Sequence, residues 1–143
     1  MKSMYFKIGI GLFLIILIAA IIGINQYNKP HVDVGDSKVD YVFTPKKLLG
    51  EYLQDEMVAT KKYANQIVQI EGNSYRISTL KGNSIITFKN KNTESSVICH
   101  LQPKENNKIL KLKKDQYITV KGICTGYLLD VVIVECVLID SEI

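Results

Sequence analysis

Residues 116–139 read QYITVKGICTGYLLDVVIVECVLI, and this stretch decides the fold. Ile118, Val120 and Cys124 share one phase of a two-residue period, and Val132, Val134 and Cys136 share another. That is the pattern of strands with one face in a core. Gln116–Cys124 and Val131–Ile139 are therefore expected as two strands, joined by the tight connection Thr125–Asp130. Working upstream, Ile67–Ser78 reads as a long strand with Val68 and Ile70 inward and Gln69 and Glu71 outward. Ser84–Lys89 and Ser95–Leu101 follow as two more. Between Leu101 and Gln116, the segment Pro103–Lys114 carries Ile109, Leu110 and Leu112 and is expected to hold one short helical stretch. Gly72 and Gly122 interrupt their strands where a sharp bend would let one strand serve two sides of a small barrel.

Three strands, a connector and a two-strand hairpin is the order of a five-stranded OB-like barrel. An SH3-like barrel would satisfy the alternation equally well, but the connector favours the OB arrangement. A helix precedes the strands. Thr44 is a good N-cap, Pro45 suits the first helical position, and the apolar pattern continues to about Tyr63. At 100° per residue, Leu48, Leu49, Tyr52, Leu53, Ala59, Thr60 and Tyr63 fall in one sector of about 140°. Glu56 falls in the middle of that sector, where a carboxylate needs a hydrogen-bond donor. The expected class is mostly β: the barrel with this helix packed on it, preceded by one transmembrane helix.

The transmembrane expectation rests on Ile8–Ile24, 17 residues with none charged. They span roughly 26 Å as a helix, near the lower limit for a bilayer core of about 30 Å. Tyr5, Phe6 and Tyr27 supply interfacial aromatics. Ala19-Ala20 is followed by Ile21-Ile22 instead of a small-residue cleavage site, which favours a retained signal anchor over a cleaved signal peptide. Lys2 and Lys7 favour a cytoplasmic N-terminus. The expected organisation is a cytoplasmic segment 1–7, a membrane helix 8–24, a tether 25–43 and an extracytoplasmic domain 44–143 (periplasmic if the cell is Gram-negative).

With Lys2 and Lys7 set aside, 16 basic residues face 14 acidic ones. That near-neutral balance lacks the strongly basic footprint of a general nucleic-acid binder. Cys99, Cys124 and Cys136 have no C-x-x-C spacing, so no structural zinc site is expected. All three fall in the apolar phase of their strands. Two readings stay open: three small buried hydrophobes, or one disulfide, Cys124 with Cys136 or either of them with Cys99.

The helix Leu48-Leu49-x-Glu51-Tyr52-x-x-Asp55-Glu56-x-x-Ala59-x-x-Lys62-Tyr63 is followed by Val68-x-Ile70-x-Gly72. Later come Val120-Lys121-Gly122-x-Cys124-Thr125-Gly126-Tyr127-Leu128-x-Asp130-Val131-Val132 and Cys136. Over roughly Thr44 to Ile139 these residues resemble the tRNA-anti-like OB-fold family, small bacterial proteins that are exported or membrane-anchored. The resemblance implies the fold and leaves the function open, because one fold hosts many functions.

No catalytic residue, metal site or cofactor is expected. His31 and Asp33 stand alone in the tether. Cys99 and His100 point to opposite faces of one strand and cannot form a nucleophile–base pair. In the OB reading, bases stack on aromatics of the second and third strands. That makes Phe88 and His100 candidate contacts, with Tyr75 beside them and Lys81, Lys89 and Lys91 in flanking loops. It is a thin platform, so nucleic acid is not the expected partner. The loops Thr79–Asn83 and Thr125–Asp130 would frame a ligand surface, and the second offers Tyr127 and Leu128 as an apolar tip. Unless Leu128 or Leu129 folds back over the barrel end, that tip is a contact for a partner. Lys104, Lys108, Lys111, Lys113 and Lys114 form a basic stretch that reads as a solvated face or as a contact for anionic lipid. The expected role is binding or scaffolding in the bacterial envelope, with a protein, peptide or glycan as partner. The alternative is an OB domain for single-stranded nucleic acid or oligosaccharide.

Overall fold

A computed structural model describes residues 2–27, 33–89 and 92–141. The chain divides into two compact units, one up to Val32 and one from Asp33 onward. In the first, α1 (Lys2–Tyr27) is one helix. Its stretch Lys7–Asn25, with mean hydropathy 2.7, is long and apolar enough to cross a membrane.

The second unit runs β1 (Tyr41–Phe43), α2 (Pro45–Gln54), α3 (Glu56–Tyr63), β2 (Ile67–Asn73), β3 (Arg76–Leu80), β4 (Asn83–Lys89) and β5 (Ser96–Leu101). A 3-10 turn, Pro103–Glu105, then leads into α4 (Asn106–Ile109), β6 (Tyr117–Leu128) and β7 (Asp130–Ser141). The strands form one mixed sheet in the order β1-β2-β6-β7-β5-β4-β3, with β1/β2 and β5/β7 parallel. This is an open order of seven strands in place of the expected five-stranded barrel. The order of strands, connector and hairpin is as expected. The count differs for two physical reasons.

First, the expected strand Ile67–Ser78 is two strands. The break is at Ser74 and Tyr75: the Ser74 N–H donates to the Gln116 carbonyl and the Tyr75 N–H to the Thr87 carbonyl, on opposite sides of the sheet order. Three Cα steps reach at most about 11 Å. Five strand spacings across a flat sheet would be about 24 Å. The sheet must therefore curl until its two ends approach. Second, residues 33–43, expected as part of the tether, belong to the packed unit. Tyr41–Phe43 pair with Val68–Ile70, and Val34 is fully buried. The Lys121 ammonium, itself buried, donates to the carbonyls of Gly35 (2.7 Å) and Ser37 (3.0 Å).

The single expected helix is also two. Thr44 caps α2 by accepting from Lys47 N–H. Asp55, in extended conformation, ends α2 and caps α3 by accepting from Val58 N–H at 3.0 Å. The break changes the helical phase. Leu48, Leu49, Tyr52, Ala59 and Tyr63 stay in the core, while Leu53 and Glu56 turn outward, so Glu56 needs no buried partner.

A bulge at Glu135 (φ 53°) shifts the phase of β7. Lys121 and Ile123, two residues apart, face Val137 and Val134, three apart. Val131, Ile133 and Cys136 therefore point inward, and Val132 and Val134, expected inside, do not. Gly122 sits opposite the bulge. A Cβ there would lie 2.5 Å from Cys136 Sγ and 2.6 Å from Ile133 Cγ2, so only glycine admits this approach.

The three cysteines are free and fully buried, and no disulfide pairs Cys124 with Cys136 or either with Cys99. Cys124 Sγ lies 3.4 Å from the Tyr52 hydroxyl. Burial pushes both the Cys124 and the Cys136 thiols up, Cys136 well above its ordinary value with Cys99 beside it.

Candidate functional site

Two surfaces of the second unit combine exposed side chains with a hairpin turn in left-handed conformation. The first is the tip of the β6–β7 hairpin. Leu128 pairs with Asp130 across the single residue Leu129, which has φ 69°. That left-handed conformation favours Gly or Asn and costs a leucine about 1 kcal/mol or more. Leu128 is 84% exposed and Leu129 80%, so neither folds back over the sheet. Tyr127 serves the fold instead. Its ring stacks on Tyr52 at 5.8 Å, and its hydroxyl lies 3.0 Å from Ser95 Oγ. Asp130 holds the hairpin base by accepting from the N–H and the hydroxyl of Ser96, both at 2.6 Å.

The second surface flanks β3. In the Leu80/Asn83 hairpin the turn residues Lys81 (φ 51°) and Gly82 (φ 80°) are both left-handed, the signature of a type I′ turn. Among the described residues β3 pairs with β4 alone and ends the sheet order. On its other side it faces residues 109–114, and a cavity of about 380 Å³ opens between them. Ile77, Ile109 and Leu112 supply its apolar wall; Tyr75, Arg76 and Lys114 line one end. Lys114 Nζ lies 5.6 Å and Lys89 Nζ 5.8 Å from the centre of the Tyr75 ring. At the opposite end Asn106 ties the connector to the hairpin, donating to the Gly82 carbonyl and accepting from the Ser84 hydroxyl.

Phe88, expected as a stacking platform, is fully buried in the core. In β4 the inward phase is Ser84, Ile86, Phe88, so no base could reach its ring. His100 is exposed and pairs with Ile85 of β4. The structure does not bring Phe88, His100, Tyr127 and Leu128 into one site: one is core, one packs on Tyr52, and two are exposed on different elements. Asp33 lies within hydrogen-bond reach of Gly35 N–H and 3.7 Å from Lys104, while His31 lies outside the described residues. Sequence reasoning missed Arg76 and Ile77 as cleft residues because it ran one strand through Ser74, and it placed Thr79 in a ligand-framing loop, whereas Thr79 lies within β3. The Gly72-Asn73-Ser74 cluster was the available signal of a break.

The basic stretch of the connector has separate tasks. Lys108 pairs at 3.0 Å with Glu105, a buried carboxylate that also accepts from Leu138 N–H. Lys114 belongs to the cleft, and Lys111 and Lys113 are exposed.

Against solved structures, the fold matches a lipoprotein of Klebsiella pneumoniae subsp. pneumoniae MGH 78578 whose name proposes nucleic-acid binding. The identity is 15% and the TM-score 0.56, with 78% of this chain and 100% of that one covered. Asparaginyl-tRNA synthetase from Pyrococcus horikoshii is similar at 13% identity and TM-score 0.39, over 57% of this chain and only 21% of the synthetase. No curated protein matches the sequence. The family model tRNA_anti-like matches residues 1–138. With the curled sheet, the connector and the hairpin in the order described, the chain belongs to the tRNA_anti-like family.

Proposed function

We propose that this chain is a membrane-tethered binding module without catalytic activity, its OB-like domain extracytoplasmic in the bacterial envelope and its partner another envelope protein. The observation that carries the reading is the Leu128–Leu129 tip. Two leucines more than three-quarters exposed, one in a left-handed conformation, make a choice that folding alone disfavours twice. Such a tip contributes nothing to the core and is suited to bury against a partner. The apolar stretch Lys7–Asn25 supports the tether.

The test is crosslinking from a photoreactive residue at position 128 in intact envelopes, with Leu128→Asn and Leu129→Asn as variants. A discrete adduct that both variants lose, without a fall in melting temperature, supports the reading. No adduct, or adducts indifferent to both variants, overturns it. A C-terminal reporter fusion found active in the cytosol would overturn the extracytoplasmic assignment.

A second reading, single-stranded nucleic acid, is favoured by one observation: Tyr75 flanked by Lys89 and Lys114. It is weakened by the burial of Phe88, which withdraws one candidate ring from a base-stacking surface. Oligonucleotide binding with a steep salt dependence would replace the first reading with this one.

A further inference from the structure

The cleft beside β3 has a feature that the hairpin tip lacks: half of a strand ladder that no strand among the described residues pairs with. In a two-residue type I′ hairpin the flanking pair, Leu80 and Asn83, is the hydrogen-bonded one. Bonded pairs recur every second residue, so Ser78/Ile85 and Arg76/Thr87 are the others. Thr79 and Ser84 fall in the non-bonded class, where side chains are closer, and their hydroxyls meet at 3.3 Å. Ile77 and Thr79 therefore aim their N–H and C=O groups away from β4, toward the cleft. The backbone pairing of β6 and the two residues before it stops at Ser74, whose N–H donates to the Gln116 carbonyl and whose carbonyl accepts from Asp115 N–H. Ile109 and Leu112 of the connector form the facing wall of the cleft.

We infer that this cleft binds an extended peptide segment of a partner protein by strand addition to β3, with an acidic residue or C-terminal carboxylate at the Tyr75 end. Donor and acceptor pairs at alternate residues are what an extended backbone matches. The volume, about 380 Å³, lies at the small end of ligand-sized cavities and suits a short segment. An antiparallel guest places its C-terminal end beside Arg76 and Lys114, where the cleft is cationic. This inference rests on the reading of the domain as a protein-binding module, but it uses a different surface from the leucine tip.

The test uses the full chain in detergent micelles. The probe is a fluorescein-labelled peptide, Gly-Val-Thr-Val-Thr-Glu with a free carboxyl end, followed by anisotropy. Saturable binding is expected, weakened about tenfold or more when alternate backbone nitrogens of the probe are methylated, since each lost hydrogen bond changes affinity several-fold. Thr79→Pro removes one outward N–H at a sheet edge, where proline is tolerated, and should weaken binding to a similar degree. Lys114→Glu should weaken it, and Lys111→Glu, outside the cleft, should not. Equal binding of the methylated probe, absence of binding at millimolar peptide, or displacement by a single-stranded oligonucleotide would each overturn the inference. The methylated probe needs no protein variant, so a folding failure of Thr79→Pro leaves the test intact. Peptide binding that fails while Leu128 crosslinks persist sinks this inference alone; the reverse sinks the tip.

Discussion

Gly122 and Lys121 are neighbours in β6, and each is fixed by what it touches. A methyl group at position 122 would meet Cys136 Sγ, Ile133 Cγ2 and, at 2.9 Å, the Val134 carbonyl oxygen, on a partner strand already bulged. Gly122→Ala should cost about 2–3 kcal/mol or more, as overpacking of a tight core does, read from urea melts. Lys121 sends its ammonium to two backbone carbonyls of residues 35–37. Lys121→Met keeps the stem and removes both charge-assisted bonds, and should lower stability by about 1.5–3 kcal/mol. Residues 33–40 should then exchange their amide hydrogens faster while the sheet ladder stays protected. Equal exchange in variant and wild type would show that the lysine does not hold that segment.

At the level of elements, the strands were largely legible in the sequence because alternation reports burial directly. Boundaries failed where a single residue changes phase, as at Ser74 between β2 and β3 and at Glu135 within β7. Asp55 did the same for the helices. A periodicity wheel extends one phase indefinitely, so it placed Leu53 and Glu56 inside, whereas a capping aspartate restarts the count. Asp55→Ala should cost about 1 kcal/mol, the usual worth of an N-cap, with the loss confined to α3. The hairpin tip makes the opposite prediction: Leu129→Asn should raise stability by about 1 kcal/mol by relieving the left-handed leucine. A fall in melting temperature would mean that Leu129 is structural, and the case for it as a contact would go.

For the whole molecule, core membership of Val68, Ile70, Cys99 and Cys124 was readable from pattern, but the cleft was not. It arises from a strand end and a connector far apart in sequence, brought together only by the curl of the sheet. Acid groups held protonated in the core set the response to alkali. Burial, followed by the bond to Cys124, holds the Tyr52 phenol far above its ordinary value of 10.0. Burial and the Glu51 carboxylate, which accepts from its hydroxyl, push Tyr63 up as well. Cys124 and Cys136 shift in the same direction from 9.0. The folded state holds these protons more tightly than the unfolded chain. Their stabilising contribution is therefore complete below about pH 9 and is lost as pH rises beyond it. Melting temperature should fall above about pH 9, and a flat profile to pH 11 would contradict the burial of these groups.

The sealed thiols also bear on the lifetime of the molecule. While the domain stays closed, an oxidant finds no thiol to attack. A chain that opens even briefly presents three, an odd number, and any bridge formed then, within the chain or to a neighbour, bars the way back. In an oxidising compartment, survival would then be governed by how often the core opens, not by the equilibrium between folded and unfolded forms.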